Sequence, residues 1–272
     1  MSDDKKSLIN IELLPKELIT NLFGPATKSI GEGLGGIVNY VVGPLRKLNV
    51  VSEKSYIDFV EKINSKTDSI PVDNRDDSKL GFALKTMEDA RYQLEDEDMR
   101  EYFSNLLAGL VDNRKNQDSS PRFSIILSEL TTIDANLLKK LYKLSITPTI
   151  KVRVQAPNGN GIDYIENLIL TQKGIVENNF SDLSPSLQTL RSYGLIDIRP
   201  SIELTQKKHT KIYEDFENST YFKTLKYNLN SFFANSSFFK DTGFSIISIR
   251  GSIHVTDLGF LFCSKIFSSE EE

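Results

Sequence analysis

Residues 92–113, YQLEDEDMREYFSNLLAGLVDN, and 120–142, SPRFSIILSELTTIDANLLKKLY, decide the fold class. In the first, Met99, Phe103, Leu106, Leu107, Leu110 and Val111 recur at the three-to-four spacing of a helix with one buried stripe. The acidic run Glu95–Asp98 precedes that stripe, where free backbone N–H groups and the macrodipole of a helix start favour negative charge. The spacing predicts helix over 80–112, then a loop over 113–119. Ser120-Pro121 is a cap followed by a first-turn proline and opens a helix reaching Leu130. Thr132 is the expected cap of a further helix with Ile133, Leu137, Leu138 and Leu141 on one face.

Working upstream, residues 52–66 form an amphipathic helix with Ser52 as cap and Tyr56, Phe59, Val60 and Ile63 apolar. Residues 67–79, TDSIPVDNRDDSK, are a polar connector. Before them lies FGPATKSIGEGLGGIVNYVVGPLRKL, in which Gly24, Gly31, Gly33, Gly35, Gly36 and Gly43 would each weaken a free helix by about 1 kcal/mol relative to alanine. Two readings of 24–45 compete. Gly31 and Gly35, four apart, let helices approach closely inside the protein or an oligomer. Alternatively Ile30, Leu34, Ile37, Val38, Val41 and Val42 form an apolar face for a membrane surface, with Lys28, Arg46 and Lys47 at its ends.

The pattern changes after Pro148. Residues 149–155 alternate as a half-buried strand and PNGNG at 157–161 is a turn. Residues 163–180 are expected to be mostly helix. Ser184-Pro185 starts a short helix that Gly194 stops, followed by a strand at 195–198. Residues 200–243 are a long polar insertion with a helix near 215–233. Residues 244–256 alternate around Arg250-Gly251, the pattern of a hairpin, and 257–267 is a final helix. The expected architecture is mainly α (α+β). A helical N-terminal domain, 1–130, precedes a winged-helix-like C-terminal domain, 131–272, that carries a small antiparallel β-sheet.

Composition narrows the function classes. Hydrophobic residues are 39% and charged residues 26% of 272, with one cysteine, two histidines and a net charge of −4. That is ordinary globular composition, with no disulfide framework or cysteine-based zinc cluster. Charge is uneven: residues 1–130 hold 17 Lys/Arg against 22 Asp/Glu, and 131–272 hold 16 against 15. A nucleic-acid face therefore belongs in the second half. The start MSDDKKSL has no apolar core of a signal peptide, and no uncharged apolar run reaches the roughly 20 residues of a spanning helix. The expected location is cytoplasmic, with membrane association on activation if 24–45 is a membrane segment.

Phe23-Gly24-Pro25-Ala26 with its glycines, and above all the 92–142 block, resemble the abortive infection alpha family. The likeness lies in acids ahead of a helix carrying NLLA, a proline-led helix, and a Leu-Thr-x-x-Asp-Ala step into the next. It covers roughly 20–145 and implies defence against bacteriophage, in which an infected cell stops growing or dies. It carries over no catalytic residues.

Individual residues support binding better than catalysis. His209 and His254 are forty-five positions apart and match no metal motif, and Cys263 sits in an apolar run. Gly31–Gly36 lacks the Lys-Ser/Thr of a phosphate loop. No catalytic residue, metal or cofactor is expected. The candidate membrane or helix-packing residues are Gly31, Leu34, Gly35, Ile37, Val38 and Val41. The candidate nucleic-acid contacts are Arg191, in the helix a winged helix would use for recognition, and Lys207, Lys208 and Lys211 of the insertion. Expected partners are a protein or a second copy of the chain, a membrane surface through 24–45, or nucleic acid through the second half.

Overall fold

The computed structural model describes residues 41–43, 47, 50–171, 174–175, 180–234 and 243–267. The glycine segment 24–40, with Gly31, Leu34, Gly35, Ile37 and Val38, lies outside them. The chain divides into two compact units, residues 1–135 with 261–272, and residues 136–260. The fold class is α+β, as expected.

The first unit is helical. Helix α1 (Glu53–Asp68) starts where the Ser52 hydroxyl accepts the Ser55 N–H at 3.2 Å, and it buries Phe59 and Ile63. A 3-10 turn at Val72–Asn74 leads to α2 (Leu80–Ala90) and α3 (Glu97–Leu110). The expected continuous helix over 80–112 is thus two. The break is chemical: the Asp96 carboxylate accepts the Met99 N–H at 3.0 Å, capping a new helix, while Leu94 plugs the core between the two. Helix α4 (Arg122–Glu129) follows Pro121. Helix α5 (Thr132–Leu144) is capped by Thr131 and not by Thr132. The Thr131 hydroxyl accepts the Asp134 N–H at 3.2 Å, and the Asp134 carboxylate accepts the Thr131 N–H at 2.9 Å, a reciprocal box. The end of the last helix, Asp257–Ile266, returns to this unit. Phe262 meets Phe123 edge-on at 5.6 Å and Phe267 meets Tyr102 at 5.0 Å.

The second unit is built on an antiparallel sheet. Strands β1 (Ile146–Gln155), β2 (Gly161–Thr171), β3 (Gly174–Ile175), β4 (Ile196–Arg199) and β5 (Ser245–Val255) lie in the order β3-β2-β1-β5-β4. Between β3 and β4 runs α6 (Phe180–Ser192), and between β4 and β5 run α7 (Lys207–Asn218) and α8 (Thr220–Phe233); α9 (Asp257–Ile266) closes the described chain. One sheet face, with Ile150, Val152, Val154, Leu168, Leu170 and Ile246, is buried under Tyr213 and Phe216 of α7 and Phe222, Leu229 and Phe233 of α8. The polar insertion is therefore a helical hairpin that roofs the sheet.

Three expectations change here. Residues 163–171, expected to be helix, extend β2. Leu168, Ile169 and Leu170 are buried in succession because both faces of the strand are covered there, and such a run reads the same in strand and helix. The hairpin at Arg250-Gly251 does not exist. β5 runs straight through it, pairing with β1 from Ser245 opposite Gln155 to His254 opposite Ile146. Gly251 is needed because a Cβ there would meet the Arg199 carbonyl oxygen at 3.0 Å, so this glycine marks a close backbone approach and not a turn. Finally, α6 begins at Phe180 and carries Pro185 within it. Gly194 ends the segment as expected, with φ of 74°.

Candidate functional site

The 92–142 block forms a junction of four helices held by short polar contacts. Asp96 caps α3 and also accepts the Thr132 hydroxyl of α5 at 2.7 Å. Gln93 donates its amide to the Ser128 carbonyl at 2.9 Å. Glu95 accepts the Ser52 N–H at 2.5 Å. Arg100, only 6% exposed, binds Asp58 at 2.5 Å and the Leu94 and Glu95 carbonyls at 2.9 and 3.1 Å. A buried guanidinium needs this full set of acceptors, since an unpaired charge in the core is costly. Glu101 faces Lys66 at 2.6 Å and Lys62 at 3.3 Å; these bonds hold its carboxyl below the usual glutamate range against the opposing effect of burial. Asp96 and Asp134 are thus spent on caps, Glu95 on the Ser52 N–H and Glu101 on ion pairs. Among the described residues no three His, Cys, Asp or Glu side chains converge for a metal.

Several polar and titratable groups of the second unit are engaged by one another. Ser252 and His254 sit 3.0 Å apart (Oγ to Nε2), a spacing that could suit a nucleophile and its base. Yet Ser252 is fully buried and its hydroxyl donates to the Ile202 carbonyl at 3.1 Å, so the pair holds the chain after β4 against β5. Arg250 binds Glu217 at 2.7 Å and Glu203 at 2.6 Å and lies over the Tyr213 ring, whose hydroxyl donates to the Gly251 carbonyl at 2.6 Å. Arg250 holds the Glu217 carboxyl below its usual range. In the helical unit, Cys263 is fully buried, and desolvation pushes its thiol far up. A thiol so placed is an inert core group.

An open cleft of about 450 Å³ in the second unit is lined by Leu144, Ser145, Ile146, the Glu203–Gln206 segment, Lys208 and His209. The fold places Lys207, Lys208 and Lys211, all exposed, in the first two turns of α7. Gln206 precedes them without a capping side-chain bond. Lys208 and burial both lower the affinity of His209 for a proton, burial being the larger cause. Arg191 is exposed in the last turn of α6, on a different helix from the lysines. Val41 is half-buried in a helical turn, 41–43, beside the fully buried Val42. Sequence reasoning did not single out Arg100, Glu217 or the cleft residues Glu203 and Gln206. Only the three-dimensional pairing marks them, because a lone charge within an apolar pattern carries no sign of its partner.

Residues 51–266 match the family model for abortive infection alpha, a span that includes the junction and most of the sheet unit. The chain belongs to the abortive infection alpha family. Of the residues that carry the likeness, Asp96, Thr131 and Asp134 cap helices of the junction and Leu106 and Leu107 lie in its core. A solved structure, the uncharacterized protein from the hydrocarbon-degrading marine bacterium Alcanivorax borkumensis SK2, is 15% identical; the match covers 54% of this chain and 96% of that one, with a TM-score of 0.32. Comparison with curated proteins returns no match. No helix among the described residues is long and apolar enough to cross a membrane.

Proposed function

We propose that this abortive infection alpha protein arrests the growth of phage-infected cells by binding, through a protein or membrane contact, and not by catalysis. The family match over 51–266 carries this reading. Three further features support it: Asp96 and Asp134 are committed to caps and Glu101 to ion pairs, Ser252 is buried with its hydroxyl bonded, and the Cys263 thiol is buried. The glycine segment 24–45 is the proposed effector element. The deciding experiment expresses the full chain and a deletion of 24–45 in bacteria, with and without phage, and scores growth and membrane potential. Loss of arrest in the deletion and in Gly35→Leu and Ile37→Asp, with the folded protein still accumulating, is the expected result. Undiminished arrest in all three rejects the role of the segment.

A second reading, a nucleic-acid-binding regulator, is favoured by the three exposed lysines in the first two turns of α7. Cations there oppose the helix dipole, so an anionic partner would relieve them. It requires that Lys207→Ala/Lys208→Ala/Lys211→Ala weaken nucleic-acid affinity, that Arg191→Ala do so as well, and that affinity fall steeply with salt.

A further inference from the structure

The edge of β5 that faces away from β1 has a specific hydrogen-bonding phase. Val255 donates its N–H to the Ser145 carbonyl at 3.1 Å, on the β1 side. Thr256, the next residue, donates to the Leu195 carbonyl at 3.1 Å, on the β4 side. Successive residues of a strand turn their backbone groups to opposite neighbours. The β1–β5 register is continuous from Ile146 opposite His254 to Gln155 opposite Ser245, so the alternation carries along the whole strand. Odd-numbered residues of β5 aim their N–H and C=O at β1, and even-numbered ones aim away from it. His254 and Ser252 meet Asp197 and Arg199 of β4, which ends there. Beyond that point Arg250, Ser248 and Ile246 have no facing strand among the described residues.

Residues 199–203, after β4, pack near Arg250–Ser252, and towards Ile246 the sequence of this edge carries none of the usual protections of an open strand. It holds no proline, no lysine and no bulge, and its one charge, Arg250, is turned onto α7 by Glu217 and Glu203. The face opposite the roof carries Ile247 and Ile249, both half-buried.

We propose that the β5 edge pairs antiparallel with the same edge of a second copy of this chain, about a two-fold axis at Ser248. This axis alone engages every outward residue. Ser248 meets its own counterpart, and Ile246 meets Arg250 of the partner subunit in both directions. Shifting the axis to Ile247 leaves Arg250 without a partner. The same register sets Ile247 beside Ile249 of the partner subunit at the closer, non-hydrogen-bonded sites, where Cα atoms lie about 4.5 Å apart. The four isoleucines then form one apolar cluster across the joint. A closed two-fold contact of this kind uses up both edges and stops at two copies. The inference does not depend on the defence reading.

The test uses the full chain. Sedimentation from about 1 to about 100 μM is expected to show a dimer that dissociates on dilution. Ser248→Pro, which removes an outward N–H and none facing β1, and Ile249→Lys, which places like charges at the joint, are each expected to yield monomer with an unchanged circular dichroism spectrum. The double variant Ile247→Cys/Ile249→Cys is expected to form a covalent dimer on mild oxidation, because that Cα separation suits a disulfide. Either single cysteine variant is expected to remain uncross-linked, since neither faces itself across the axis. Cys263 is buried and adds no background. A chain that stays monomeric throughout overturns the proposal. So does a dimer that survives Ser248→Pro and Ile249→Lys, or one whose double-cysteine form does not cross-link while a single variant does.

Discussion

Replacing Gly259 by alanine tests whether backbone contact or helix propensity governs the start of α9. An alanine in a helix ordinarily gains about 0.5–1 kcal/mol over glycine. At Gly259 an added Cβ would lie 2.1 Å from the Leu195 carbonyl oxygen, 3.0 Å from its carbon and 2.9 Å from a Val255 methyl. The nearest atoms are backbone, held by the Thr256 N–H bond to that same carbonyl and by Gly194 behind it, so they cannot swing aside as a side-chain tip would. Overpacking of this kind costs about 1–3 kcal/mol, and here it must also outweigh the propensity gain. Gly109, in α3, is the internal control, because a Cβ there meets nothing within 4 Å. We expect Gly109→Ala to stabilise by a few tenths to about 1 kcal/mol and Gly259→Ala to destabilise by about 1–3 kcal/mol, or very roughly 2–10 °C in Tm. Urea and thermal denaturation followed by circular dichroism measure both. The reasoning is refuted if Gly259→Ala matches or exceeds the wild type in stability.

Asp96→Ala removes the cap of α3 and the tie to Thr132 together, and should lower the unfolding free energy by about 1–2 kcal/mol in urea titrations. Tyr213→Phe, which leaves the Gly251 carbonyl without its 2.6 Å donor, should cost about 1–2 kcal/mol by the same assay. Arg250 depresses the Glu217 pKa, so this carboxylate contributes stability that is fully present above the ordinary glutamate value of about 4.3 and is lost as pH falls through its lower folded value. Glu217→Gln should flatten the stability profile in that acid window, and an unaltered acid limb contradicts the pairing. Cys263 should resist thiol reagents in the native protein and react in strong denaturant, and rapid labelling of the folded chain contradicts its burial.

The helical unit was largely legible because its signals are local. Ser52, the Glu95–Asp98 run and Ser120-Pro121 sit within a few residues of the helices they start. Even so, the pattern of 80–112 concealed the break at 91–96, where Leu94 continues the apolar count while Asp96 restarts the helix. The sheet unit was less legible because its determinants are distant. Whether 163–171 is strand depends on β1 lying beside it, and whether Arg250-Gly251 turns depends on Glu217, Glu203 and Arg199. The lysines of α7 could be named from sequence, but their common exposure at the start of the helix and the cleft beside Lys208 needed the fold.

The return of residues 261–267 to the helical unit has a consequence for biogenesis. Phe262 and Phe267 close on Phe123 and Tyr102, Asn105 donates to the Ile266 carbonyl, and Lys265 donates to the Lys115 carbonyl. Residues 136–260 are thus threaded as an excursion within a unit whose two pieces are synthesised before and after them. During synthesis the sheet unit can complete itself while the helical unit still waits, with the faces around Phe123 and Tyr102 open to water. Ribosomes stalled before residue 261 would hold chains whose helical unit is unfinished, so the supply of finished protein depends on translation running through the end of the excursion.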